Sequence, residues 1–336
     1  MAPMIPRIQP LEHRPAWQEQ LATAVRSVDE LLQLLQIDPA VAKIRPLQSD
    51  FPLRVPRGFI QRMVKGDSRD PLLLQVLPVA QEADDATGFS PDPLAELDAM
   101  PAPGLLHKYQ GRALLTTTGA CAVHCRYCFR RHFPYSDANP VPGHWQAAIK
   151  YLAQHKDICE LILSGGDPLT LTDSRLHSLT GQLADLTHLR TLRIHTRLPV
   201  VLPARVDSGL LSWIDAQTLK LVFVIHCNHS GEIDHSVTNA LDKLTAAGVT
   251  LLNQSVLLRD INDSAATLAR LSERLFAAGV LPYYLHRLDR VQGAAHFEVS
   301  TKRARAIMTE LRAMLPGYLV PRLVREIPGA PGKTPL

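Results

Sequence analysis

From about Arg112 onward, short apolar runs alternate with amphipathic stretches, and this alternation constrains the 336-residue chain more than any other feature. The runs are Ala113–Thr118, Leu161–Ser164, Leu192–Thr196, Leu219–His226, Thr250–Leu258 and Pro282–His286. Between them lie helix-like stretches. One opens at Asp173 and carries Leu176, Leu179, Leu183 and Leu186 on one face. Another carries Leu268, Leu271 and Leu275 and stops at Gly279, a residue type suited to ending a helix. Strands buried on both faces and alternating with helices imply parallel β/α units. Six units fall short of a complete eight-stranded barrel. The expected fold is therefore α/β, a partial (β/α)6 barrel, with its chemistry at the C-terminal ends of the strands.

The first hundred residues follow another pattern. Trp17, Leu21, Val25, Leu32 and Leu35 predict a helix, followed by the Pro-rich stretch Phe51–Pro78. The expected division is an N-terminal, mostly helical accessory region (1–105) wrapped on the barrel, the barrel itself (106–300), and a C-terminal segment (301–336). Taken alone, the accessory region needs no role beyond packing. With 36 Lys and Arg against 32 Asp and Glu, the chain has a formal net charge of +4 and no dense basic block, so nucleic acid is not an expected partner. No apolar stretch approaches the ~20 residues of a membrane-spanning helix, and prolines and charges interrupt the first fifteen residues where a signal peptide needs an apolar core. A cytoplasmic location is the expectation.

Five cysteines are an odd number, and three of them lie within eight residues: Cys121, Cys125 and Cys128. A small secreted disulfide scaffold would spread its cysteines. Three thiolates in C-x3-C-x2-C spacing, on the loop after the first predicted strand, can hold three irons of a [4Fe–4S] cluster and leave the fourth open. That iron can chelate the amino and carboxylate groups of S-adenosylmethionine, whose reductive cleavage yields a 5′-deoxyadenosyl radical. The alternative is a zinc site with His132 or His124 as fourth ligand, although four ligands on one tight loop would strain a tetrahedron. Cys159 and Cys227 have no motif spacing and read as small buried hydrophobes.

Two further segments matter. The second run ends in Ser164-Gly165-Gly166-Asp167. Its glycines could admit a ligand close to the backbone, with Ser164 and Asp167 as acceptors for an ammonium group, or could simply make a tight turn. The C-terminal segment contains Gly332-Lys333-Thr334. The glycine spacing before it is wrong for a phosphate-binding loop, and no helix follows. A lysine on a Gly/Pro-shaped loop can instead form a Schiff base with pyridoxal phosphate, or be a solvated tail residue.

A cysteine loop for an adenosyl radical, combined with a candidate Schiff-base lysine, resembles the lysine 2,3-aminomutase family of radical S-adenosylmethionine enzymes. The resemblance runs from roughly Phe51 to Pro335. It is carried by PGLLHKY (103–109), the cysteine motif followed by Phe-Arg-Arg, LILSGGDPL (161–169), RLPVVLP (197–203), HCNH (226–229), NQSVLLRDIND (253–263), LPYYLHRLD (281–289) with QGAAHF, and PGKTP (331–335). It implies that Cys121, Cys125 and Cys128 hold the cluster and that Lys333 is the pyridoxal phosphate lysine, with Arg112 at the cofactor phosphate and Lys108 assisting. The Ser164–Asp167 turn, including Gly165 and Gly166, matches positions around S-adenosylmethionine, as do His226 and Gln254. Arg130 matches the residue that pairs with the substrate α-carboxylate, a task suited to a planar guanidinium, whereas Arg131 is expected to be structural or solvent-facing. Asp289 and Glu326 match two acidic positions that grip a distal ammonium and so favour lysine over an acidic amino acid. Glu326 stands where the lysine enzymes carry Asp.

The implied reaction moves the amino group of L-lysine from C2 to C3. The short chain resembles the bacterial branch of the family that makes (R)-β-lysine for a ligase modifying translation elongation factor P. A reductase such as flavodoxin or ferredoxin is the expected electron donor. A catabolic or osmolyte-producing lysine aminomutase, a radical aminomutase of another amino acid, and a non-enzymatic metalloprotein are the competing readings.

Overall fold

Each of the six apolar runs forms a strand of one sheet. The computed structural model describes residues 15–40, 51–135 and 145–336. Its strands are β1 (Leu105–Tyr109), β2 (Arg112–Thr118), β3 (Glu160–Gly165), β4 (Thr191–Thr196), β5 (Lys220–His226), β6 (Thr250–Leu257), β7 (Leu281–Arg287), β8 (Arg322–Arg325) and β9 (Thr334–Pro335). The sheet order follows the chain order. Strands β2 to β8 run parallel, while β1 and β9 pair antiparallel with β2 and β8. Among the described residues β1 and β9 do not pair with each other, so the sheet is an open, partial barrel.

The described helices of seven or more residues are α1 (Ala16–Ala22), α2 (Val28–Leu34), α3 (Gln146–Gln154), α4 (Asp173–Leu183), α5 (Ser208–Asp215), α6 (His235–Ala246), α7 (Ala265–Ala277) and α8 (Thr301–Met314). Six β/α units, from β2 to α8, match the expected count, and β8 adds a seventh parallel strand. Local chemistry sets the helix boundaries. Asp207, Asp234, Ser264 and Ser300 each accept a backbone N–H at the start of the following helix. Gly279, at φ +74°, ends α7 as expected.

Strand parity separates core from cavity. On β4, Leu192 and Ile194 are fully buried in the main hydrophobic core, whereas Arg193 and His195 line the cavity inside the sheet. That core joins Leu163, Phe223 and Ile225 of the strands to Leu176 and Leu179 of α4, and also includes Trp17, Leu31 and Phe59 of the N-terminal region. A second cluster packs α7 and α8 against β7 and β8 through Leu268, Ile307, Leu311, Leu285 and Leu323.

The single helix expected over Trp17–Leu35 is two helices. Val25 leaves the helix to pair with Val55 in an antiparallel bridge, and Ser27 then caps α2 by accepting the Glu30 N–H. Residues 1–14, where the signal-peptide expectation falls, lie outside the described residues. No described helix is long and apolar enough to cross a membrane.

Candidate active site

A cavity of about 370 Å³ opens inside the sheet. Lining it are Cys121, Cys125, Cys128, Arg130, Ser164, Gly165, Gly166, Asp167, His226, Gln254, Lys108, Arg112, Asp289, Glu326 and Lys333. The structure thus brings together every residue that the family resemblance assigned to a cofactor or substrate, from eight of the nine strands or their ends, whereas Arg131, His132, Cys159 and Cys227 do not line the cavity.

The cysteine loop follows β2. All three cysteines carry free thiols, and burial together with the neighbouring cysteines pushes the Cys121 thiol well up and that of Cys128 up to about 11. Bound metal ions reverse such shifts, because the thiolate is the ligand. Among the described residues no three His, Cys, Asp or Glu side chains converge tightly enough to hold a single metal ion. A cuboidal cluster takes its three thiolates on separate irons. The two candidate zinc histidines have other partners: His124 Nδ1 lies 2.8 Å from the Pro52 carbonyl oxygen, and His132 Nε2 lies 3.2 Å from that of Gln292. Arg126, inside the loop, and Arg131, just after it, both donate to the buried Glu82 carboxylate, with Arg131 Nη2 at 2.6 Å. Arg131 is therefore structural.

The glycine turn at the end of β3 packs directly against the chain leading into Cys121. Gly165 has φ +129°, and a Cβ there would lie 2.4 Å from the Thr118 carbonyl oxygen. A Cβ on Gly166 would lie 2.3 Å from the Ala120 oxygen. Glycine is required here by backbone against backbone. The Asp167 carboxylate accepts from Thr196 Oγ1 at 2.7 Å and from the backbone N–H groups of Leu169, Arg197 and Leu198. The bonds from Thr196, Arg197 and Leu198 tie the β3 turn to the end of β4, while the Leu169 bond caps the turn itself. Burial nevertheless raises the Asp167 pKa to about 6.

His226 and Gln254 are register partners on β5 and β6 and face the cavity together. His226 Nε2 lies 2.9 Å from the Tyr127 hydroxyl, and burial lowers the imidazole pKa to about 3, so the ring is neutral.

At the opposite wall, β9 folds back on β8 and turns Lys333 inward. Its ammonium donates to Glu326 Oε2 at 2.9 Å, with 21% of the side chain exposed. This placement rules out a solvated tail lysine. Glu326 Oε1 accepts from Lys108 at 3.0 Å. Burial opposes ionisation of Glu326, but the Lys333 and Lys108 ammoniums prevail and lower its pKa to about 2. Asp289 behaves oppositely: burial, then the Glu326 charge, raises it to about 7. Arg112 stacks over the Tyr109 ring at 4.6 Å and makes no ion pair among the described residues.

Several cavity residues were not singled out from the sequence. His195 and His286 point inward from β4 and β7, and burial keeps both imidazoles neutral. The Nε2 atom of each is buried without a hydrogen-bond partner among the described residues. Their signal was strand parity: His195 alternates with the buried Leu192 and Ile194 of β4, and His286 follows the buried Leu285 of β7. Glu96 and Arg197 also line the cavity, and Arg197 Nη1 lies 2.7 Å from Cys125 Sγ.

The pattern has close relatives. An L-lysine 2,3-aminomutase of Escherichia coli (strain K12) is 54% identical over 325 residues, covering 96% of this chain and 95% of that protein. The chain belongs to the lysine 2,3-aminomutase family. It is accordingly an isomerase of the radical S-adenosylmethionine type, and the family's cofactors are a [4Fe–4S] cluster, S-adenosylmethionine and pyridoxal phosphate. L-lysine 2,3-aminomutases of Haemophilus influenzae and Buchnera aphidicola are 50% and 44% identical, covering 84% and 96% of this chain and 84% and 95% of their own. No protein-family model matches the chain.

The cavity suits these groups. Three free thiols share one loop, a lysine faces inward on the same cavity as the Arg112 guanidinium, and among the described residues that guanidinium makes no ion pair and two buried imidazole nitrogens have no polar partner.

Proposed function

We propose that this protein converts L-lysine to β-lysine by a 1,2-amino shift dependent on pyridoxal phosphate. The carrying observation is that one cavity joins the cysteine loop, the inward lysine and an acidic pair. In this reading Cys121, Cys125 and Cys128 hold the cluster, Lys333 holds the pyridoxal aldehyde, and Arg112 meets its phosphate with Lys108 nearby. Bound, the cluster and S-adenosylmethionine supply a hydrogen-abstracting adenosyl radical, and pyridoxal phosphate supplies delocalisation for the migrating amino group.

The chain's own residues do the rest. Arg130 orients the substrate α-carboxylate through its fork of N–H donors. Asp289 and Glu326 attract the distal ammonium and repel an acidic side chain, which selects lysine. Ser164, Gly165, Gly166, Asp167, His226 and Gln254 shape the S-adenosylmethionine side. The cavity wall holds the reacting groups in one geometry and keeps water away from them.

The R configuration, delivery of the product to a ligase acting on elongation factor P, and a flavodoxin or ferredoxin as reductant extend this proposal along the sequence resemblance to the bacterial members of the family. The test is anaerobic incubation of cofactor-loaded enzyme and reductant with L-lysine, L-glutamate and L-alanine separately, followed by chiral chromatography. (R)-β-lysine from lysine alone is the expected result, together with its attachment to elongation factor P when ligase and factor are added. Turnover of glutamate or alanine instead of lysine would discard the acidic pocket. An S product, or (R)-β-lysine that the ligase refuses, would remove the elongation factor role.

A further inference from the structure

Arg130 meets a carboxylate before any substrate arrives. Its Nε and Nη2 donate to Glu96 Oε2 and Oε1 at 2.6 and 2.9 Å, and its Nη1 donates to Ser164 Oγ at 2.9 Å. Both members of the pair are almost fully buried, with 5% of each side chain exposed. A guanidinium has five N–H donors. Three are used here, leaving one on Nη1 and one on Nη2 without a partner among the described residues.

Glu96 is itself held in place. Its Oε1 also lies 3.3 Å from Lys108 Nζ, which donates further to Glu326 and to the Leu94 carbonyl. The chain entering this segment is fastened to the loop that carries Asp289: Ser90 donates to the Arg290 carbonyl and accepts from Gln292, both at 3.0 Å. A continuous run of alternating charge, Arg130–Glu96–Lys108–Glu326–Lys333, therefore crosses the cavity.

We infer that Glu96 is a positioning residue for recognition of the amino-acid α-carboxylate: it grips one edge of the Arg130 guanidinium and turns the other edge, with its two unused N–H groups, toward the substrate. A planar fork held on one edge cannot swivel, so the opposite edge is fixed in advance, and a carboxylate binds without reordering a long side chain. This inference rests on the reading of Arg130 as the carboxylate anchor.

The test compares two ligands on the cofactor-loaded enzyme without reductant, so that nothing turns over. L-lysine and cadaverine share the distal amine and differ by the α-carboxylate, so the ratio of their Kd values isolates the carboxylate contribution. Glu96→Gln should weaken L-lysine binding by about tenfold or more while leaving cadaverine within about twofold. Glu96→Asp, which keeps the charge but loses reach, should recover part of the ratio. In an Arg130→Lys background the Glu96 substitution should have little further effect on the ratio, since there is no fork left to orient. Iron content and melting temperature identify a folding defect. If Glu96→Gln fails to fold, Glu96→Asp serves, with an intermediate loss of the ratio expected. An unchanged ratio in a folded Glu96 variant, beside a collapsed one in Arg130→Lys, would overturn the inference while sparing the anchor. An unchanged ratio in Arg130→Lys would overturn both.

Discussion

Lys333 and Glu326, seven residues apart in sequence, face each other at 2.9 Å across the turn that folds β9 back onto β8. That fold-back converts a C-terminal lysine into a cavity residue and places it in the field of the acidic pair.

Lys333→Ala should remove the retained pyridoxal phosphate and leave the iron–sulfur absorbance intact. Gel filtration followed by a visible spectrum checks both at once. A variant that keeps stoichiometric pyridoxal phosphate would remove Lys333 from its role.

Asp289 links lysine binding to pH. Its pKa, raised to about 7 mainly by burial, leaves much of it protonated below neutrality. Only the carboxylate attracts an ammonium, so L-lysine affinity should rise between pH 6 and 8, at most about tenfold per unit. The stability effect has the opposite sense. A carboxyl whose pKa rises on folding contributes stability below its unfolded value of about 4 and loses that contribution as the pH climbs through 7. Asp289→Asn should flatten both trends, as followed by calorimetry and thermal melts from pH 4 to 8. An equally steep binding profile in the variant would assign the titration to another group.

Glu82 anchors the cysteine loop from the N-terminal side. Its carboxylate is fully buried between Arg126 and Arg131, whose charges lower its pKa despite burial. Glu82→Ala strands two buried guanidiniums and should cost about 3–5 kcal/mol in denaturant unfolding. A loss below about 1 kcal/mol would mean that water or another acid compensates.

Gly166→Ala should separate the β3 turn from the chain entering the cysteine loop, because its Cβ would sit 2.3 Å from the Ala120 oxygen. Overpacking of this kind costs about 1–3 kcal/mol, and iron incorporation on reconstitution should fall with it. Full iron loading in the variant would show that the loop tolerates the displacement.

The six β/α units were legible because each strand carries buried apolar residues, alternating with cavity-facing ones on β4, and α4 and α7 carry clear helical stripes. Strand β8 was not legible. Its four residues, RLVR, carry charges at both ends, and only docking beside β7 makes them a strand. The break between α1 and α2 was hidden because Val25 keeps the helical spacing yet takes a bridge partner 30 residues away. The site residues came from motifs, but their convergence is a property of the sheet. Glu96 shows the limit most clearly. An acid in a turn-rich segment reads as a solvent-facing side chain until the fold buries it against Arg130.

The central claim is that one cavity moves an amino group within a single lysine molecule. The direct measurement is anaerobic turnover of an equal mixture of L-[2-15N]lysine and fully 13C-labelled L-lysine, with mass and NMR analysis of the product. The account predicts β-lysine with 15N on C3 only in molecules lacking 13C. Absence of β-lysine despite an intact cluster and bound pyridoxal phosphate, or 15N scrambled into the 13C product, would contradict it.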